Sequence, residues 1–313
     1  MPLPSPVRAD LHTHTTASDG RLSPPGLVEK AALRGIERLS ITDHDTVAAY
    51  PLARIAAQRL GVALLPGVEL SVQVGDRDIH LLAYGFDLAD QALAAALAAY
   101  RQKRVERAEA IVDRLAGLGH RLRLERVHYH AKGEVVGRPH IAKAMLEAGL
   151  VSTFGEAFDR FLGTTAPAYV AKTDQPASEM IALVHAAGGV TVLAHPGIAL
   201  DETIAAMLVA DGLDGVEVVH PAHDPMAERR WAAFAARHDL LTTGGSDYHG
   251  FGTFEDDSFG RYAPDPAWVA RLLDAVAHHP ALTRAIPFAR QGLRYAGLLP
   301  RPTAELLRLR HTL

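Results

Sequence analysis

Residues 10–20 read DLHTHTTASDG, and there a short apolar run ends on His12 and His14, followed by Asp19 and Gly20. On a strand, side chains at i and i+2 point to the same side. The pattern recurs: apolar runs end at or beside His44 in LSITDHDT, Glu69 in LLPGVELS, His80 in DIHLLAYG, His195 in TVLAHPG and Asp247-x-His249 in TTGGSDYHG. Repeated ends of short apolar runs are where a βα barrel presents side chains to one common site. Nine N/O donors converging there suffice for two or three divalent metals. Taken alone, each has a plainer reading. Asp19 is a turn residue before glycine, His80 a hydrogen-bonded core histidine, and Glu69 a carboxylate that burial penalises unless it is paired or bound to a cation. Their joint recurrence at run ends favours a metal cluster, and with it metal-assisted hydrolysis.

Helical patterns lie between these runs, among them SPPGLVEKAALRG (23–35), AYPLARIAAQRLG (49–61), PASEMIALVHAAGG (176–189) and PMAERRWAAFAARHD (225–239). Ser23-Pro24 is a conventional helix start and Gly188-Gly189 a stop. About seven strands alternating with helices predict an α/β fold with a parallel sheet, most simply a closed or nearly closed βα barrel. The alternation breaks near residue 90. Leu93, Leu97, Tyr100, Arg104, Ala108, Ile111, Leu115 and Leu118 recur at three- and four-residue spacing, which predicts one long amphipathic helix. The expected organisation is a discontinuous barrel, residues 1–97 and 173–280, interrupted by a small, mostly helical insert over 98–172. An Arg-rich amphipathic tail, 281–313, is expected to pack on the outside.

The 313 residues include no cysteine, which excludes disulfides, thiolate zinc sites and cysteine nucleophiles and fits a cytoplasmic protein. The opening MPLPSPVRADLHTH has no charged segment followed by an apolar one, and no apolar run approaches the ~18 residues of a membrane span; neither secretion nor membrane insertion is expected. The net charge of −4 conceals an asymmetry, because Arg101–Lys143 carries eleven Lys/Arg against five Asp/Glu, a net of +6. A basic segment set in an acidic, ligand-rich body predicts an anionic substrate held between them; the alternative is a solvated helix face. Arg138 and His140, in VGRPHIAK, stand at an expected helix start, where backbone N–H groups favour an anion. They are expected to touch substrate phosphate, with Arg101, Arg104 and Lys143 as further candidates. His220 and His223 follow the run DGVEVV and can face the site. His185 on a helix reads as structural, and His120, His128 and His130 as surface residues. G-x-S-x-G, Walker A, G-x-G-x-x-G and His-Glu-x-x-His are all absent, so the expected nucleophile is a metal-bound hydroxide rather than a side chain.

The motifs LHTHTTASDG, TDHDT, GVELS, IH, LAHPG and GGSDYHG correspond in order to those of the PHP family, named for polymerase and histidinol phosphatase, which the chain resembles over roughly residues 7–252. The resemblance implies a distorted seven-stranded βα barrel with a trinuclear metal centre. One metal would be held by His12, His14, Glu69 and Asp247. A second would share Glu69 and add His80 and His195, and the third would use Asp19, His44 and His249. Mn²⁺, Zn²⁺ or Fe²⁺ is implied. Glu69, Asp247 and His195 would serve catalysis, and His223 or His220 would protonate the leaving oxygen. The segments VVGRPHIAKAML, FDRFLG, GGVTVLAHP, GVEVVHPAHD and LLTTGGSDYHG resemble the subgroup that dephosphorylates nucleoside 3′,5′-bisphosphates and trims short RNA from the 5′ end. The implied partner is therefore a small phosphorylated nucleotide or short RNA, with no DNA duplex and no membrane; oligomeric state is left open. Three rivals stand beside this reading. A histidinol phosphate phosphatase would act on a cationic substrate that gains little from the basic insert. A processive exonuclease would want aromatic stacking platforms, whereas the insert offers Tyr100, Tyr129, Phe154, Phe158, Phe161 and Tyr169, the helical ones reading as core. A metal-dependent scaffold or regulatory module would have no use for a complete ligand set.

Overall fold

The computed structural model describes residues 8–75, 77–131, 135–171, 175–197 and 200–279. The expected packing of the 281–313 tail lies outside them. Three two-residue strands, β1 (Ala9–Asp10), β2 (Arg38–Leu39) and β3 (Ala63–Leu64), form a parallel sheet in that order. Five others, β4 (Gly67–Val74), β5 (Arg77–Tyr84), β6 (Val190–Leu193), β7 (Gly215–Val219) and β8 (Leu241–Gly244), form a second sheet, also in chain order. Single bridges join the two sheets. Thr13 pairs with Tyr248 beyond β1 and β8, and His44 pairs with Glu69 between the exit of β2 and β4.

The expected single parallel sheet is therefore corrected in two respects. The strands divide into sheets of three and five, and β5 runs antiparallel to both β4 and β6. A turn carrying Gly75 (φ 58°) connects β4 to β5, and so short a link permits only a hairpin, since a parallel neighbour needs a crossover of a dozen residues or more. The run ALLPGVELSV splits into β3 and β4 because Pro66 cannot donate to a ladder. Just beyond it, Gly67 packs so closely that a Cβ there would lie 2.2 Å from Ser40 Oγ.

The crossover helices follow their sequence signals. Helix α1 (Pro24–Leu33) starts at Ser23, whose Oγ accepts the N–H of Gly26, and α2 (Tyr50–Leu60) stops at Gly61 in the left-handed conformation. Helices α7 (Ala177–Ala186), α8 (Glu202–Ala210) and α9 (Pro225–Arg237) cover the five-stranded sheet, and Trp231 and Phe234 of α9 are buried against it. The break in alternation is helix α3 (Gln91–Gly117), capped by Asp90. Its first turns place Leu93 and Leu97 in the main core. Its later turns place Ala108, Ile111 and Leu115 in a separate apolar cluster with Val127 of α4 (Leu124–Ala131), Ile141 and Met145 of α5 (Arg138–Glu147), and Phe161 and Leu162 just after the one-turn α6 (Phe154–Ala157). Two short helices follow β8, α10 (Thr253–Ser258) and α11 (Pro266–Ala277). Among the described residues no helix is long and apolar enough to cross a membrane.

Candidate metal centre

The chain leaves β1 in an extended path, and both His12 and His14 are fully buried on one side of it, while Thr13 between them points the other way to donate to Ser40 O at 2.7 Å. Gly245, at the exit of β8, makes this approach possible: a Cβ there would lie 2.4 Å from His12 Cβ. Glu69, on β4 and 1% exposed, stands at the centre. Its Oε2 is 3.3 Å from His12 Nε2, 3.2 Å from His14 Nε2 and 3.2 Å from His44 Nδ1, and its Oε1 is 2.7 Å from His80 Nδ1 and 3.0 Å from His195 Nε2. Asp247 Oδ1 lies 3.3 Å from His12 Nε2 and 3.1 Å from His14 Nε2. Asp19 faces His249 Nε2 at 3.3 Å and His44 Nε2 at 3.7 Å. All nine sequence-derived donors thus stand in one cluster. His14 belongs to two groups of it, one with His12, Glu69 and Asp247 and one with Asp19, His44 and His249.

These residues fit divalent ions. Within each group the candidate ligand atoms lie within 4.8 Å of one another, and they are the imidazole nitrogens and carboxylate oxygens that such ions take. Both ring nitrogens of His14, with Nδ1 of His44 and of His80, are buried without a hydrogen-bond partner although carboxylate oxygens are near. Buried polar atoms of this kind are rarely orphaned, and a cation would satisfy them together. Burial works against charge on Glu69, Asp247 and Asp19, yet the surrounding imidazoles outweigh it and hold all three carboxyls well below the usual carboxylate range. His195 (φ 26°) and Asp247 (φ 50°) adopt left-handed backbone conformations unusual for residues with a Cβ, a strain that is found at sites where side-chain direction is functional.

One member escaped the sequence reading. Glu217, in the middle of β7 and fully buried, accepts from His12 Nδ1 (3.0 Å to Oε1) and from the backbone N–H of His195 (2.8 Å to Oε2). It holds a proton on His12 Nδ1, which leaves the Nε2 lone pair for a cation beside Glu69 and Asp247, and it holds His195 in its strained turn. The available signal was a lone carboxylate inside an apolar run, GVEVV, which burial penalises unless it is paired.

His220 and His223 separate. His220 is buried with Nε2 3.4 Å from Asp247 Oδ2, and its Nδ1 accepts from Ala222 N–H, so the neutral ring carries its proton on the nitrogen facing the cluster. The expected role of His223 as proton donor does not suit its placement. Its Nδ1 donates to Val218 O at 2.8 Å and its Nε2 accepts from Gly197 N–H at 2.9 Å, so both nitrogens are engaged and burial disfavours a second proton. His185, read as structural, pairs with Asp214 at 2.8 Å.

A cavity of about 160 Å³ adjoins the cluster, lined by Asp19, His44 and His80 of the cluster together with Arg104, Arg107, Arg138 and His140. Arg104 is anchored by Asp45 Oδ2 and Ser71 Oγ, each at 2.6 Å. Arg138 donates to Leu162 O at 3.1 Å. His140, at the start of α5, accepts from Gly137 N–H, and burial lowers its pKa to about 4, so it presents a neutral ring. Arg107 was not singled out from sequence. Two candidates stand elsewhere: Arg101 donates to Asp45 O at 3.0 Å, and the Lys143 ammonium lies over the Phe251 ring, so neither lines this cavity.

The chain is similar to known proteins over most of its length. It is 36% identical to a 5′-3′ exoribonuclease of Haemophilus influenzae over 245 residues, 77% of this chain and 89% of that one. It is 33% identical to a 3′,5′-nucleoside bisphosphate phosphatase of Chromobacterium violaceum over 246 residues, 77% and 86% of the two chains. Among solved structures, a Bifidobacterium adolescentis chain assigned as a metal-dependent phosphoesterase superposes with a TM-score of 0.77 at 34% identity, covering 85% of this chain and 96% of that one. Residues 10–188, which carry His12 through His80 and the whole insert, match the PHP domain, and the chain belongs to the PHP domain family.

Proposed function

We propose that the protein is a metal-dependent phosphoesterase that removes the 3′-phosphate of nucleoside 3′,5′-bisphosphates and trims short 5′-phosphorylated RNA. The observation that carries this reading is the cavity that residues of the ligand cluster and three arginines line together. A substrate with phosphates at both ends of a ribose matches such a pairing of cluster and arginines. The scissile phosphate lies at the cluster, and the second phosphate takes charge-assisted hydrogen bonds from Arg104, Arg107 and Arg138. The two activities break the same bond. Water attacks phosphorus, the P–O3′ bond breaks, the 3′-oxygen leaves as a hydroxyl, and the phosphate departs either as inorganic phosphate or still attached to the next nucleotide. The phosphatase of C. violaceum and the exoribonuclease of H. influenzae, both similar to this chain, carry those two names.

Two or three divalent ions, Mn²⁺, Zn²⁺ or Fe²⁺, fit the cluster, with His12, His14, Glu69 and Asp247 holding one, Glu69, His80 and His195 a second, and Asp19, His44 and His249 a third. Bound there, such ions lower the pKa of water and polarise phosphoryl oxygens. His220, with its proton on the nitrogen facing Asp247, is the side chain placed to deliver a proton to the leaving oxygen. The single bridges between the two sheets, with β3 and β4 taken as one strand broken at Pro66, support reading the sheets as a distorted barrel of seven strands.

The test is a panel of adenosine 3′,5′-bisphosphate, AMP, histidinol phosphate and a 5′-phosphorylated short RNA, assayed with each divalent metal. The bisphosphate and the RNA are expected to be turned over in preference to the other two; equal rates on all four overturn the assignment.

A further inference from the structure

Beyond the cavity, the loop that follows Asp247 carries an aromatic ring to the side of His249. Phe251 is 42% exposed, and its ring lies 6.1 Å from that of His249 with the planes 28° apart. Two cations approach it. The Arg21 guanidinium carbon is 4.8 Å and Lys143 Nζ 4.7 Å from the ring centre. They come from different parts of the chain, Arg21 from just past Asp19 and Lys143 from α5, the helix whose first turn lines the cavity. The loop is held from below. Glu255 Oε2 accepts the backbone N–H groups of His249 (2.8 Å), Gly250 (2.6 Å) and Phe251 (3.1 Å), and Arg21 N–H is bonded to His249 O at 2.8 Å. A lone exposed phenylalanine needs no explanation. This one is fixed in place, stands beside a ring of the ligand cluster and is bracketed by positive charge, which is the equipment that takes a base on a π-surface and the phosphate next to it.

We infer that Phe251, with Arg21 and Lys143, forms a platform for the second nucleotide of a single-stranded RNA substrate. The inference rests on the phosphoesterase reading above, in which the first nucleotide fills the cavity and the phosphate between the two lies at the cluster. The second nucleotide then leaves the cluster past His249, stacks its base at Phe251, and sets its 3′ phosphate beside Arg21 and Lys143. A nucleoside bisphosphate has no such group and gains nothing from the platform. The platform therefore separates oligomers from mononucleotides.

Two measurements on the full-length, metal-loaded protein test this. In turnover, Phe251→Ala is expected to lower kcat/KM for a 5′-phosphorylated trinucleotide roughly tenfold more than for adenosine 3′,5′-bisphosphate, while Phe251→Trp keeps the wild-type ratio. In binding, a 3′-fluorescein pentaribonucleotide whose first linkage is an uncleavable methylenephosphonate is followed by anisotropy. Phe251→Ala is expected to weaken it roughly tenfold, and Arg21→Ala to weaken it and flatten its salt dependence. An unchanged oligomer-to-bisphosphate ratio, or unchanged anisotropy, overturns the platform. Absence of turnover by the wild type on both substrates overturns the phosphoesterase reading instead, and the binding measurement still decides the platform.

Discussion

Glu69 is the residue on which the centre depends, since one buried carboxylate lies within 3.3 Å of five imidazoles drawn from four separate segments of the chain. A group of this kind is tolerable in a protein interior only when opposite charge surrounds it. Glu217 does a different job one layer out, setting the tautomer of His12 and the backbone of His195. Glu217→Gln keeps the shape of the side chain but presents an amide N–H to His12 Nδ1, which favours the proton on the wrong nitrogen. The expected result is a folded protein whose affinity for Mn²⁺ or Zn²⁺ falls about 10- to 100-fold, measured by titration calorimetry. A binding isotherm that superimposes on the wild type would remove Glu217 from this role. Most of the nine candidate donors were legible because they stand where an apolar run ends; Asp19, in the turn beyond His14, and His80, inside its run, were legible only in company with the rest. Glu217 was not sought because it sits inside an apolar run, and His223 was misjudged because nothing in PAHD reveals that Gly197 and Val218 occupy its two nitrogens.

At the level of elements, helix α3 joins two cores. Leu93 and Leu97 belong to the main core and Ile111 and Leu115 to that of the insert, so the arginines between them, Arg104 and Arg107, are carried on a rod fixed at both ends. Truncation of the completely buried Leu115 to Ala is expected to destabilise by about 2–5 kcal/mol, read from urea denaturation. A loss below about 1 kcal/mol would mean that the insert core collapses around the gap and contributes little rigidity to the cavity wall. The period of this helix was plain in the sequence over its whole length. The direction of β5 was not, because alternation of apolar and polar residues is the same whether a strand runs up or down its neighbour. The brevity of the link through Gly75 was the clue to a hairpin.

For the molecule as a whole, the cluster draws together His14 and His249, whose ring centres are 4.1 Å apart though they lie 235 residues apart in the chain, and is closed by the pairings Thr13 with Tyr248 and His44 with Glu69. A cation bound to the folded state alone stabilises by mass action, about 2.7 kcal/mol at a hundred times its dissociation constant. Chelation with EDTA is therefore expected to lower the melting temperature, and added Mn²⁺ or Zn²⁺ to restore it; a melting temperature indifferent to chelator would contradict a metal centre built from these groups.

The amino-acid sequence by itself pointed to the nine candidate donors, because residue type and run length are local properties that need no knowledge of the path between runs. It also determined the long helix, by periodicity, and the basic character of residues 101–143, by charge. Only the tertiary structure decided that His14 serves two groups, that Glu217 and Arg107 belong to the site while Arg101 and Lys143 stand outside the cavity, and that an exposed ring at Phe251 stands beside His249. Those are matters of which segments become neighbours. They depend on strand direction, on a hairpin in place of a crossover, and on the close approach of Gly245 to His12, none of which is written in any one stretch of chain.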